Sequence, residues 1–74
     1  SSVIDIELIY KKLGKKIAKI RNDKDLTQEQ LALDTGLNRA FIGYIERSER
    51  KPTIKTIARI AEALNVELWE LFKF

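Results

Sequence analysis

Seventy-four residues, 45% of them hydrophobic and 34% charged, are enough for one small domain and too few for a second core. The sequence has no cysteine and no histidine, which excludes disulfide staples, thiolate nucleophiles and the usual zinc ligands. It contains no apolar run near the roughly 20 residues of a membrane span, and its N-terminus does not resemble a signal peptide. We therefore expect one domain over residues 1–74, located in the cytoplasm and without a membrane partner.

The net charge of +3 is distributed unevenly along the chain. Residues 11–60 contain thirteen Lys and Arg against six Asp and Glu, a net charge of +7, whereas the segments before and after them carry −2 each. A basic middle of this kind is typical of a surface that binds a polyanion. A solvated lysine-rich helix face is the alternative, so the charge needs support from a motif.

The spacing of apolar and capping residues predicts five helices and no strand. In "LTQEQL", Thr27 and Gln30 have the spacing of a capping box at the start of the second helix. Gly36 suits the left-handed residue that ends this helix. The first helix follows a predicted N-cap at Asp5 and has apolar residues three and four apart, at Ile6, Ile9, Leu13, Ile17 and Ile20.

The remaining helices are marked by polar caps and by the single proline. Asn38 is the predicted N-cap of the third helix, and residues 48–51 form a polar loop after it. Pro52 prevents the helix from continuing, Thr53 caps the fourth helix, and Asn65 closes it. The segment "VELWELF" then predicts a short fifth helix.

Residues 28–47 have the spacing of two helices that meet at a steep angle. Ala32 supplies the small residue that such a crossing needs, and Gly36 tolerates the positive φ of the bend. Through "TQEQLALDTGLNRAFIGYIERSERKPT", the chain resembles the lambda-repressor-like regulators of the XRE family, over about residues 13–72. The resemblance implies an all-α, five-helix DNA-binding domain whose second and third helices form a helix-turn-helix.

In this family the third helix enters the major groove of DNA, and its outer face contacts the base edges. A guanidinium can donate to both O6 and N7 of guanine, so Arg39 is the leading candidate for base reading. Ala40 is suited to a thymine methyl. Gly43, which costs about 0.8–1.0 kcal/mol relative to Ala in a helix, would let the helix approach DNA closely and would leave room for neighbouring side chains. Tyr44 would contact a base or a phosphate, or else cover the edge of the core, and Asn38 serves first as a helix cap.

Other side chains are expected to anchor the DNA backbone. Gln28 lies in the first turn of the second helix, where its amide and the free backbone N–H groups can hold a phosphate, and the family likeness supports that role. Thr27 and Ser48 are weaker candidates. Cations around the loop after the third helix suit the flanking phosphates, namely Arg47, Arg50, Lys51 and Lys55.

Not every cation in the basic middle is expected to contact DNA. In the family an Arg late in the first helix pairs with a Glu late in the third, which implies a structural ion pair between Arg21 and Glu46. The lysines of the first helix are expected to form a solvated face that adds long-range attraction, and they are Lys11, Lys12, Lys15, Lys16 and Lys19.

A single recognition helix reads only a few base pairs, so specific binding requires two half-sites about one helical turn apart. We therefore expect a homodimer on a palindromic operator, with a dimerisation segment over about residues 60–74. In the alternative, Trp69 folds back over Leu8 or Ile9 of the first helix. Because exposed aromatic residues are enriched at interface centres, the predicted two-fold contact consists of Ile60, Leu64, Leu68, Trp69 and Phe72.

The sequence therefore predicts a sequence-specific transcriptional regulator that binds double-stranded DNA without a cofactor, a metal ion or a small-molecule effector. The segment "NRAFIGYIERSERKPT" resembles the recognition segment of restriction–modification controller proteins, although Ala40 and Gly43 stand where those proteins often have hydroxyl residues. A phage repressor is an alternative, as is an antitoxin that binds a protein toxin. An enzyme is not supported because no His, Cys or carboxylate pair suggests an active site, and no aromatic sheet favours RNA.

Overall fold

The computed structural model describes residues 3–74, which fold into helices and contain no strand. No helix in this part of the chain has both the length and the apolar character needed to cross a membrane. The elements in chain order are α1 (Ile6–Asp23), α2 (Gln28–Thr35), α3 (Arg39–Glu46), α4 (Ile54–Ala63) and a 3₁₀ helix (Leu68–Phe72). The all-α architecture predicted from the sequence is confirmed.

The four α-helices begin at the caps that the sequence predicts. The side chains of Asp5, Thr27, Asn38 and Thr53 each accept a hydrogen bond, at 2.8–3.2 Å, from the backbone N–H three residues later. Gln30 completes the capping box of α2, because its Oε1 accepts from the Thr27 backbone N–H at 2.8 Å. Each such cap satisfies a backbone N–H that the helix leaves free and contributes about 1 kcal/mol.

Left-handed residues end the helices and keep the connections short. Gly36 caps α2 at φ +72°, so only residues 36–38 separate α2 from α3. Asn65 follows α4 at φ +58°, as its predicted closing residue, and Asp25 adopts φ +56° after α1. Asn and Asp enter this region more readily than other residues with a Cβ, which is why the chain can turn there without glycine.

The predicted fifth α-helix is instead the single 3₁₀ turn Leu68–Phe72, so the five-helix prediction is wrong. Its hydrogen bonds connect residues three apart: the Glu70 N–H donates to the Glu67 carbonyl at 3.0 Å, and the Lys73 N–H donates to the Glu70 carbonyl at 3.4 Å. A five-residue segment is too short to offset the nucleation cost of an α-helix, whereas a 3₁₀ turn satisfies its backbone within one turn.

The core is built from the apolar sides of all five elements. Full burial of one Leu or Ile side chain contributes about 1.5–3 kcal/mol, so these residues dominate the stability of so small a domain. The largest fully buried side chains are Leu13, Ile17, Leu31, Ile42, Ile57, Ile60, Leu64 and Leu71.

Two of these core residues had been predicted to lie in a dimer contact. Ile60 and Leu64 are 0% exposed in the single chain, so they have no surface to offer a partner, and this part of the prediction is wrong. The apolar stripe of α4 is used to close the monomer core, which an amphipathic pattern alone does not distinguish from an interface stripe.

A close approach between α1 and α3 depends on Gly14. A Cβ added to Gly14 would lie 2.5 Å from the Ile45 carbonyl oxygen and 2.7 Å from that of Glu46. Neither oxygen belongs to a flexible side chain, so α1 can pack against the end of α3 only with glycine at this position. Ala32, the small residue predicted at the crossing of α2 and α3, is buried, whereas nothing in the sequence predicted the role of Gly14.

Candidate nucleic-acid interface

The turn after α2 holds α3 with one side in the core and the other facing outwards. Ile42 and Ile45 are buried on the inner side. The end of α2 is fixed from two directions: Thr35 Oγ1 donates to the Leu31 carbonyl at 2.8 Å, and Arg59 Nη1 of α4 donates to the Thr35 carbonyl at 3.4 Å. The outer side of α3 is therefore presented on a rigid support.

The outer side of α3 carries most of the residues predicted to read bases. At 100° per residue, positions 39, 40, 43, 44 and 47 fall within an arc of about 140°. Within this arc, Arg39 and Ala40 belong to the first turn of α3, and both are exposed. Asn38 is occupied by capping, since its Oδ1 accepts from the Phe41 N–H at 2.8 Å.

Arg39 is the free cation of this face. Within residues 3–74, no group forms a hydrogen bond or an ion pair with its guanidinium, although the residue lies beside the first turn of α2. An arginine in the first turn of a helix is opposed by the helix dipole. Because the guanidinium gains nothing by staying close to the helix N-terminus, the side chain loses little free energy when it extends away from the protein.

The space left by the missing side chain of Gly43 is occupied by a neighbouring side chain. Gly43 is buried, and a Cβ added to it would lie 3.0 Å from Arg47 Nη1. The guanidinium of Arg47 folds back over this glycine. The missing side chain of Gly43 therefore leaves room for the Arg47 guanidinium against the helix.

Tyr44 lies between two arginines at the end of α3. Its ring centre is 5.5 Å from Arg47 Cζ and 5.4 Å from Arg50 Cζ, within the range of cation–π attraction. A turn at Ser48, with φ +54°, lets the Glu49 N–H donate to the Tyr44 carbonyl at 2.8 Å and returns Arg50 to the ring. The half-buried Tyr44 ring thus contacts the guanidinium groups of Arg47 and Arg50, and these contacts cover part of the ring that a base could otherwise approach.

Two cations near this face are already paired. Arg47 Nε is 2.8 Å from Glu49 Oε2, and this hydrogen bond raises the pKa of Arg47. Lys51 Nζ is 2.6 Å from Glu7 Oε1 of α1. Neither partner was anticipated from the sequence. Glu49 stands two positions after Arg47 in a polar loop, but nothing local indicates the contact of Glu7 with Lys51.

The ion pair implied by the family resemblance is present beneath this face. Arg21 donates from Nε to Glu46 Oε2 at 2.7 Å and from Nη2 to Glu46 Oε1 at 3.0 Å, and the two side chains are 10% and 6% exposed. Arg21 Nη1 also donates to the Leu26 carbonyl at 2.7 Å. The side-chain amide of Gln28, predicted to hold a phosphate, instead donates to Glu46 Oε1 at 2.9 Å. This network ties α1, α2 and α3 together.

The other residues predicted to anchor phosphates are placed differently from one another. Thr27 is used as the cap of α2, and Ser48 forms the turn after α3. Lys55 is exposed in the first turn of α4. The loop before it is joined to α1, because the Tyr10 hydroxyl donates to the Pro52 carbonyl at 3.2 Å.

The C-terminal part of the chain leaves apolar surface uncovered. Trp69 is 60% exposed, with Lys73 Nζ 5.8 Å from the centre of its ring, so most of its surface is not packed over Leu8 or Ile9 as in the alternative. Leu68 is also exposed and Phe72 is half-buried. Of the five residues predicted for a dimer contact, these three remain accessible.

Comparison with known proteins decides the family. A helix-turn-helix family model matches residues 17–71, which include all of α2, α3 and α4. The chain belongs to the helix-turn-helix family. This helix-turn-helix protein is 42% identical over 59 residues to control protein C.SmaI of Serratia marcescens, covering 80% of the chain and 70% of that relative.

Two further relatives of this helix-turn-helix protein are also named control or controller proteins. It is 37% identical over 71 residues to control protein C.BamHI of Bacillus amyloliquefaciens, covering 95% of the chain and 84% of the relative. The crystal structure of the restriction-modification controller protein C.AhdI from Aeromonas hydrophila matches with a TM-score of 0.83 and 38% identity, covering 85% of this chain and 96% of that one. The helix-turn-helix protein is thus a DNA-binding transcriptional regulator of the XRE type, close to restriction–modification controller proteins.

Proposed function

We propose that this regulator binds a palindromic operator as a homodimer and controls the genes of a restriction–modification system. The observation that carries the proposal is the outer face of α3, where Arg39 has no hydrogen-bond or ion-pair partner among residues 3–74. The helix that carries it is fixed by the core and by the Arg21–Glu46 pair. The similarity to control proteins of restriction–modification systems supports the choice of regulated genes.

Arg39 is the principal base reader in this proposal. Its unpaired guanidinium suits the bidentate contact with O6 and N7 of guanine, and Ala40 beside it offers a methyl group for thymine. Tyr44 and Arg47 form the other end of the same face, where Gly43 seats the arginine. Asn38 contributes less because its side-chain oxygen caps α3.

Phosphate contacts hold the regulator in register on the duplex. Arg47, Arg50, Lys51 and Lys55 surround the C-terminal end of α3 and the following loop, where the DNA backbone passes when a helix lies in the major groove. The first turn of α2 adds backbone N–H groups at Gln28.

Dimerisation uses the accessible apolar residues of the C-terminal turn. Leu68, Trp69 and Phe72 all lie on the 3₁₀ helix, and a large exposed tryptophan frequently contributes much of the binding energy of an interface. A two-fold contact is self-complementary, so one such patch on each chain is sufficient. Sedimentation of Trp69→Glu is expected to give a folded monomer, and an unchanged dimer would reject this contact.

Selection of binding sites from a pool of random duplexes tests the function as a whole. We expect the wild-type chain to enrich a site with two inverted half-sites, their centres about one helical turn apart. A matched selection with Arg39→Ala should lose the preference for one guanine in each half-site. Enrichment of an asymmetric site, or of none, would contradict the proposal. An endonuclease or methyltransferase gene beside this one would support the restriction–modification assignment.

A further inference from the structure

Two cations that the proposed function assigns to DNA phosphates are already held by the chain's own carboxylates. Arg47 Nε lies 2.8 Å from Glu49 Oε2, and Lys51 Nζ lies 2.6 Å from Glu7 Oε1. The side chains of Arg47, Glu49 and Lys51 are about half exposed and that of Glu7 is 76% exposed, so a duplex can reach them. A carboxylate oxygen and a phosphate oxygen are equivalent acceptors for a guanidinium or an ammonium group. Each carboxylate therefore occupies the position on its cation that a phosphate would take.

The backbone places both carboxylates where they are. The left-handed Ser48 and the hydrogen bond from the Glu49 N–H to the Tyr44 carbonyl fold the loop back on the end of α3, which brings Glu49 to Arg47. The hydrogen bond from Tyr10 to the Pro52 carbonyl holds α1 beside the same loop, and Glu7, one turn before Tyr10, reaches Lys51.

We infer that Glu49 and Glu7 limit the affinity of this regulator for DNA by competing with phosphates for Arg47 and Lys51. The inference rests on the proposed function. When a duplex binds, each cation exchanges its carboxylate for a phosphate, and the displaced carboxylate stays close to a polyanion. It then either repels the duplex or takes up a cation from solution. The consequence is weaker binding to DNA of any sequence, because every duplex has the same phosphates.

This competition has a regulatory consequence. A protein that acts through its own concentration occupies its operator only when that concentration approaches the dissociation constant. Glu49 and Glu7 raise that threshold without changing which sequence is preferred. Glu49 and Glu7 therefore determine the protein concentration at which the operator is occupied, whereas the outer face of α3 determines which DNA sequence is bound.

The chain contains a matched control in the pair formed by Lys19 and Asp23. Lys19 Nζ lies 2.9 Å from Asp23 Oδ2, and both side chains are exposed. Lys19 is five residues after Gly14, the residue of α1 that packs on α3, which places it roughly 140° around the helix from that contact. Asp23→Asn therefore removes the same charge and the same kind of ion pair as Glu49→Gln, away from the proposed DNA surface.

The test measures binding of the wild-type chain and of its Glu49→Gln, Glu7→Gln and Asp23→Asn variants to one mixed-sequence 20-base-pair duplex by fluorescence anisotropy. We expect Glu49→Gln and Glu7→Gln each to tighten binding by about three- to ten-fold, and Asp23→Asn by less than about two-fold because long-range charge is screened. The slope of log K against log salt should steepen by about 0.9 for Glu49→Gln, since no cation is taken up by a displaced carboxylate.

A double-mutant cycle with Arg47→Ala separates competition from simple repulsion. If Glu49 acts through Arg47, most of the gain from Glu49→Gln should disappear in the Arg47→Ala background. Equal gains for Glu49→Gln and Asp23→Asn, or weaker binding by Glu49→Gln, would overturn the inference while leaving the proposed function standing. Failure of the wild-type chain to bind any duplex would overturn both. Thermal melting of each variant checks that the fold is unchanged.

Discussion

Two Arg–Glu ion pairs meet at the end of α3, where Glu46 and Arg47 are neighbours in the chain. The Arg21–Glu46 pair is bidentate, and its side chains are 10% and 6% exposed. Glu46 also accepts a hydrogen bond from Gln28, and Arg21 also donates one to the Leu26 carbonyl. The Arg47–Glu49 pair is 55% and 52% exposed and has one short contact. The same chemical groups therefore have different tasks, and burial decides which.

The difference follows from the solvent around each pair. An ion pair removed from water is costly to break, since the remaining partner becomes an unpaired buried charge. An exposed pair contributes little, because water and salt replace either partner. The buried pair consequently fixes the three helices that support α3, whereas the exposed pair is free to exchange its carboxylate for another anion. Glu46 fixes the position of α3, and Glu49 lowers the affinity of the α3 face for DNA.

Glu46→Ala is the substitution expected to separate the two pairs most strongly. It leaves the Arg21 guanidinium buried without its carboxylate and should reduce the free energy of unfolding by about 3–5 kcal/mol. Glu49→Ala is the matched control, and its melting temperature should stay close to that of the wild type. Thermal denaturation followed by circular dichroism measures both. Similar melting temperatures for the two variants would show that burial does not distinguish the pairs.

The glycines beneath the two pairs sharpen the same comparison. In Gly14→Ala the new Cβ meets the carbonyl oxygens of Ile45 and Glu46, which are backbone atoms, so the helices must separate. We expect a loss of about 1–3 kcal/mol of stability, as for other overpacked contacts. In Gly43→Ala the Cβ meets only the end of the Arg47 side chain, which can move.

Because Ala is the better helix former, Gly43→Ala should preserve or raise the melting temperature while displacing the Arg47 guanidinium. Chemical denaturation of the two variants, compared with the wild type, checks the contrast. A stability loss for Gly43→Ala as large as that for Gly14→Ala would mean that Arg47 is held as rigidly as the backbone.

Local signals explain how much of the fold could be predicted from the sequence. A capping box joins Thr27 and Gln30, only three residues apart, and the left-handed turn at Gly36 depends on a single residue. Such features appear directly in the sequence. The Arg21–Glu46 pair spans 25 positions and was accessible only through the resemblance to a family.

Features that depend on how helices cross could not be predicted. Gly14 has nothing in its local sequence that marks the approach of α3, and Glu7 reaches Lys51 only because α1 lies beside the loop after α3. Ile60 and Leu64 have the spacing of an apolar stripe, which is the same for a core and for an interface. The sequence therefore predicted which residues lie on the outer side of α3. The ion pairs that these and neighbouring residues form could be found only from the structure.

Arg39 and Arg47 provide the last comparison, between a free cation and a paired one on the same face. Arg39→Ala should cost about 1–3 kcal/mol of discrimination at one base pair in each half-site, because it removes a bidentate contact with guanine. Its binding to a mixed-sequence duplex should change much less. Arg47→Ala should behave in the opposite way, weakening binding to all duplexes by a similar factor. Its lost phosphate contact should flatten the salt dependence by about 0.9 in the Glu49→Gln background, where no displaced carboxylate takes up a cation.

Competition titrations of the selected operator and of single-base variants measure both effects at one fixed salt concentration. The expected result is a loss of preference for guanine with Arg39→Ala and an unchanged preference with Arg47→Ala. Equal losses on operator and mixed-sequence DNA would reduce Arg39 to a phosphate contact. If Arg47→Ala instead removed a base preference, the wild-type Arg47 guanidinium would be a second group that contacts a base edge. Its contacts with Gly43, Tyr44 and Glu49 would then position it for that role. The exposed pair would then belong to sequence recognition as well as to affinity.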